Sequence, residues 1–75
     1  MRQPKPIDLI IAKRLRQSRL DCGMTLQDVQ AKIGVSYQQI QKYENASNRV
    51  SAGQLWHIAK IYNKPIDYFF EAGSS

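Results

Sequence analysis

One cysteine, one histidine and one tryptophan stand among 75 residues, and six acidic residues against eleven basic ones. A single cysteine excludes an internal disulfide, and that scarcity points to a reducing compartment, the cytoplasm. The lone His57 has no second His, Cys or acid at metal-ligand spacing. No carboxylates are usefully paired and no nucleophile has a base, so the inventory argues against an enzyme, a metal centre or a bound cofactor. No two of the four glycines stand at the GxxxxG spacing of a phosphate loop, and none is followed by Lys-Ser/Thr. No apolar run approaches the roughly 18 residues of a membrane span. The N-terminus offers only the short burst Leu9–Ala12, too little for a signal peptide. What remains is one small domain with a net charge of +5. Such a balance favours a polyanionic partner, nucleic acid ahead of membrane.

The most informative stretch is TLQDVQAKIGVSYQQIQKYEN, Thr25 to Asn45. Its spacing predicts two short helices joined by a tight turn. Thr25 with Asp28 fits a capping box, and Ser36 with Gln39 repeats the device one helix later. Between them Gly34 can take the left-handed conformation that ends a helix. Val29 and Ile33 form one apolar face, Ile40 and Tyr43 the other. With Ile40 and Tyr43 inward, the opposite side of the second helix carries Gln38, Gln41, Lys42 and Asn45, flanked by Tyr37 and Gln39. Amide side chains match the adenine edge, and Lys matches guanine acceptors or phosphate. An amide-rich face with one cation and no acid suits the DNA major groove. Glu44 falls near the buried side.

The stretch sits among further helices. Residues 1–6 read as a flexible arm, 7–71 as the folded domain and 72–75 as a tail. The first helix is expected from an N-cap at Asp8 to about Cys22, stopping at Gly23. Ile11, Leu15, Ser18 and Cys22 share one face, which makes Cys22 a small buried hydrophobe. Residues 1–20 carry a local +5, from Arg2, Lys5, Lys13, Arg14, Arg16 and Arg19 against Asp8. Part of that is a solvated face, and Arg14 or Arg16 is a candidate for phosphate. Ser51 with Gln54 opens a fourth helix, to about Tyr62, with Leu55, Ile58, Ala59 and Tyr62 inward. The N–H groups at its start form a phosphate seat near Ser51, flanked by Asn48 and Arg49. Trp56 reads as a rim residue and His57 as a surface histidine. Pro65 opens a fifth short helix, dense in Ile66, Tyr68, Phe69 and Phe70.

In order and at this spacing, Gly23-Met24-Thr25, Val29, Ile33-Gly34-Val35-Ser36, Ile40 and Tyr43-Glu44-Asn45 resemble the Cro and phage-repressor type of helix-turn-helix DNA-binding domain. The resemblance covers about residues 11–70. It implies an all-α, five-helix fold of the lambda-repressor kind, with helices 2 and 3 as the helix-turn-helix. It also implies a transcriptional regulator of the repressor type that binds double-stranded DNA as a homodimer. Base contacts are then expected from Tyr37, Gln38, Gln39, Gln41 and Lys42. Phosphate contacts are expected from Arg16, Arg19, Gln27, Ser36, Asn45, Asn48, Arg49 and Ser51. The family pairs the residue at Arg19 with the acid at Glu44, and commonly dimerises through the end that holds Tyr68, Phe69 and Phe70. Two positions depart from the pattern. Leu26 stands where the family usually has a phosphate-binding Gln, a role that Gln27 could take. Gln30 stands where it favours Ala, at a close crossing of two helices.

The competing class is the same fold used as a protein-interaction module of antitoxin or coactivator type. That use asks for an apolar recognition face, and Gln38, Gln41 and Lys42 argue against it. No small-molecule ligand and no membrane are implied.

Overall fold

A computed structural model describes residues 3–71. The tail at 72–75 and the first two residues of the arm lie outside the described residues. Four α-helices follow in order: α1 (Pro6–Asp21), α2 (Leu26–Ile33), α3 (Tyr37–Glu44) and α4 (Ala52–Ile61), and then a 3₁₀ helix (Ile66–Phe70). Among the described residues there is no strand. The architecture is all-α, as the sequence implies, but the fifth helix is 3₁₀ rather than α. Its bonds run three residues back, Tyr68 N–H to the Pro65 carbonyl (3.1 Å) and Glu71 N–H to Tyr68 (3.4 Å). Five residues after a proline are too few to propagate an α-helix, and the tighter turn is the usual outcome.

The helix starts follow local chemistry. At α2 the Thr25 hydroxyl accepts from the Asp28 N–H (3.0 Å), and the Asp28 carboxylate accepts from the Thr25 N–H (2.8 Å). Ser36 and Ser51 accept from the N–H groups of Gln39 (3.2 Å) and Gln54 (3.1 Å). Helix α1 departs from expectation, because it begins at Pro6 rather than after Asp8. Proline suits a first turn, and Asp8 becomes the third helical residue, accepting from the Lys5 N–H at 2.8 Å. Gly23 and Gly34 adopt φ of 68° and 74° just past α1 and α2, where any side chain would be strained.

The core joins all five elements: Leu15 of α1, Val29 of α2, Ile40 of α3, Leu55, Ile58 and Ala59 of α4, Tyr62 and Phe69. Helix α3 packs on both α1 and α2, while the 3₁₀ helix packs on α1 and α4. Ser18 is also fully buried, its hydroxyl donating to the Arg14 carbonyl at 2.7 Å. The inward stripe ends there. Cys22 is exposed, contrary to the sequence reading, because α1 stops at Asp21 and the chain turns away at Cys22 and Gly23. Its thiol lies 3.6 Å from the Tyr62 carbonyl.

Candidate nucleic-acid interface

Helix α3 presents the face that its sequence suggests. Ile40 is buried and Tyr43 half-buried, while Tyr37, Gln38, Gln41, Lys42 and Asn45 are exposed. Gln39 is half-buried and flanks that face. Glu44, the one acid on the helix, is turned inward. The exposed side therefore offers amide donors and acceptors with a single positive charge.

The inward acid is fixed by α1. Arg19 donates from Nε to Glu44 Oε2 at 2.7 Å and from Nη2 to Oε1 at 3.0 Å, a two-pronged pair. Its Nη1 donates to the Met24 carbonyl at 3.0 Å, so all three guanidinium nitrogens are engaged. The side chains of Arg19 and Glu44 are 10% and 7% exposed. Hydrogen bonding to Glu44 outweighs burial and holds Arg19 more firmly protonated than usual. Burial, and then Glu44, pushes the Tyr62 phenol above its ordinary range, so both tyrosine and arginine keep their protons at any physiological pH. Arg19 is thus a mostly buried tie between α1 and the end of α3, with three of its five N–H groups engaged.

The start of α3 is held differently. Beyond the Ser36 cap, the carboxamide oxygen of Gln30 accepts from the Tyr37 N–H at 2.7 Å. Position 30 departs from the resembled family, and the structure turns that departure into a second cap delivered from α2. Sequence reasoning missed it, since no local pattern links residues seven apart across a turn. Leu26, the other departure, is half-buried against the core, and Gln27 is exposed beside it.

Past α3 the chain turns through Ala46, buried at φ 64°. The Asn45 side-chain Oδ1 accepts from the Ser47 N–H at 2.9 Å, which leaves the side-chain NH2 of Asn45 as donor. Asn48 and Arg49 are exposed on the loop that follows. Arg49 Nε lies 3.5 Å from the Asp8 carboxylate, yet its side chain is 59% exposed. Ser51 then caps α4, where helix geometry leaves the N–H groups of Ala52 and Gly53 without intrahelical partners. Arg16, Leu26, Gln41 and Asn45 border one open cleft over the Arg19–Glu44 pair. Arg16 is exposed there. Arg14 instead packs its guanidinium 4.5 Å from the Tyr68 ring and donates to the Glu71 carbonyl at 3.3 Å.

At the far end, Phe69 is fully buried in the core, so it drops out of the surface expected for dimerisation. Tyr68 is half-buried, with Arg14 and Lys64 each stacked on its ring. Phe70 and Ile66 remain exposed, at 46% and 40%. On α4, His57 is exposed, as read from the sequence, while Trp56, read as a partly buried rim residue, is 57% exposed. Among the described residues, no group of three or more His, Cys, Asp or Glu could hold a metal ion, and no helix is long and apolar enough to cross a membrane.

The known proteins that this chain resembles in sequence carry the names of transcriptional regulators. The chain is similar to an uncharacterized HTH-type transcriptional regulator of Sinorhizobium medicae, 41% identical over 70 residues, 93% of this chain and 50% of that protein. It is 47% identical over 64 residues to an uncharacterized transcriptional regulator in the ATPase CF(0) region of Rhodospirillum rubrum, covering 85% of this chain and 59% of that protein. A third relative, an uncharacterized HTH-type transcriptional regulator of Rickettsia conorii, is 46% identical over 65 residues, 87% of this chain and 52% of its own length. The chain thus spans about half the length of the curated relatives it matches. No solved structure matches it. The helix-turn-helix family model aligns with residues 15–69, which takes in the Arg19–Glu44 tie, both capped helices and the buried Phe69. On that match, and on the α2–α3 geometry beneath it, the chain belongs to the helix-turn-helix family.

Proposed function

We propose that this chain binds double-stranded DNA sequence-specifically and regulates transcription by occupying its site, in the manner of a repressor. The observation that carries the reading is the exposed side of α3. Gln38, Gln41 and Lys42 stand clear of the protein with no acid among them, on a helix whose other side is clamped by Ile40 and Glu44. An α-helix fits the major groove, where amides pair with adenine and Lys with guanine. Gln38 and Lys42 are the principal base readers, with Tyr37, Gln39 and Gln41 beside them. Arg16, Arg19, Gln27, Ser36, Asn45, Asn48, Arg49 and Ser51 meet phosphates, which set position without reading sequence. Ser36 and Ser51 accept a cap bond through oxygen and keep the hydroxyl proton for a phosphate.

A single domain of this size reads few base pairs, so the proposal includes a symmetric dimer on half-sites about one helical turn apart. Exposed Phe70, with the edge of Tyr68, supplies the contact between copies. Use of the fold purely against a protein partner would leave the amide-rich face of α3 without purpose.

The test compares two substitutions on a preferred duplex and on random DNA, across a salt series. Gln38→Ala is expected to cost about 1–3 kcal/mol on the preferred duplex alone. Arg49→Ala is expected to weaken both duplexes alike and to flatten the salt slope by about one ion. Equal losses from both variants on both duplexes would contradict the assignment of roles.

A further inference from the structure

The two exposed ends of the α2–α3 turn are joined by a bond that the helix-turn-helix pattern does not ask for. Gln30 lies on α2, and its oxygen accepts from the N–H of Tyr37, the first residue of α3, at 2.7 Å. That N–H is one of the four donors a helix start leaves without an intrahelical partner. Ser36 already serves the N–H of Gln39 from the chain immediately before the helix. The first turn of α3 is therefore gripped twice, once from its own leader and once from the neighbouring helix. Tyr37 and Gln38 extend from that turn, and both are exposed on the side assigned to bases.

We infer that Gln30 is a positioning residue for sequence reading, fixing the first peptide of α3 and so the angle at which Tyr37 and Gln38 meet base edges. The inference rests on the DNA-binding reading above and deepens it. A first turn tied only by its N-cap frays most easily, and base readout depends on hydrogen-bond geometry that tolerates little misalignment. Burial plays no part in the device, since Gln30 and Tyr37 are both exposed. Its effect on folding is therefore no larger than that of an ordinary surface cap. The neutral hydrogen bond is of the strength that shifts an equilibrium by about two- to ten-fold.

The experiment uses Gln30→Met, which keeps side-chain length and helix propensity but removes the acceptor oxygen, and Gln30→Glu, which keeps an acceptor. Three quantities are read: amide exchange of Tyr37 in the free protein, thermal unfolding, and the affinity ratio between preferred and random duplexes. Gln30→Met is expected to speed Tyr37 exchange and lower the ratio about two- to ten-fold, with the thermal midpoint lowered by no more than a few degrees. Gln30→Glu is expected to keep Tyr37 protected and hold the ratio, while its added charge weakens both duplexes together. A lower ratio with Tyr37 exchange unaltered would make Gln30 a direct DNA contact and overturn the positioning role. No change in either quantity would overturn it too. A wild-type protein without any preferred duplex fails the DNA reading itself, and that failure is visible before any variant is compared.

Discussion

The two ends of α3 are held by opposite means. Its C-terminal end is locked by a buried, two-pronged ion pair between Glu44 and Arg19, with the Met24 carbonyl completing the guanidinium's partners. Its N-terminal end is held by neutral hydrogen bonds at the surface, from Ser36 and Gln30. Breaking one partner of a buried pair leaves an uncompensated charge, whereas breaking a surface cap exposes an N–H that water can satisfy. The contrast implies a division of labour. The far end fixes where α3 sits in the fold, and the near end sets how its first side chains are presented.

The contrast breaks most severely at the buried end. Arg19→Met is expected to cost about 3–5 kcal/mol in urea unfolding, because Glu44 is then buried alone. Arg19→Met combined with Glu44→Leu is expected to recover most of that loss, since an apolar pair needs no charge compensation. A double variant as unstable as the single one would mean that the bond to the Met24 carbonyl, rather than the ion pair, carries the tie. At the near end Ser36→Ala is expected to cost only about 1 kcal/mol, measured in the same unfolding experiment. A loss equal to that of Arg19→Met would erase the distinction between the two ends.

The smallest effect lies at the start of α2. Asp28 is held below its ordinary 3.8, first by the Thr25 N–H and then by the Thr25 hydroxyl. A folded-state value below the unfolded one means that the contribution is present above pH about 4 and fades as pH falls through the folded value. Asp28→Asn is therefore expected to lower stability slightly at neutral pH and leave the acid end nearly unchanged, which flattens the acid limb of the stability curve. An acid limb unaltered in that variant would place the proton uptake elsewhere.

What could be read from the sequence divides along similar lines. The starts of α2, α3 and α4 were legible because each cap spans three residues: Thr25 to Asp28, Ser36 to Gln39, Ser51 to Gln54. The core faces were legible because Val29, Ile40, Leu55 and Ile58 recur at helical spacing. Cys22 was misplaced because periodicity says nothing about where a helix stops, and one residue past Asp21 the stripe no longer exists. The aromatic cluster was only half legible. Three residues per turn bring Phe69 inward and leave Phe70 out, a choice that depends on a 3₁₀ geometry no composition announces. Gln30 lay beyond local reading because its partner is set by how α2 and α3 cross. Arg14 was likewise drawn from the candidate phosphate contacts by Tyr68, a residue far along the chain.

On the proposed function, the exposed face of α3 reads base pairs, two copies at a time. Selection of bound duplexes from a randomised pool at about 150 mM salt, followed by sequencing, tests it most directly. An inverted repeat with half-sites about one helical turn apart is the predicted result, with the positions addressed by Gln38 and Lys42 the most strongly fixed. A pool that emerges unenriched, bound weakly and released as salt rises, would reduce the interaction to charge alone and contradict the claim.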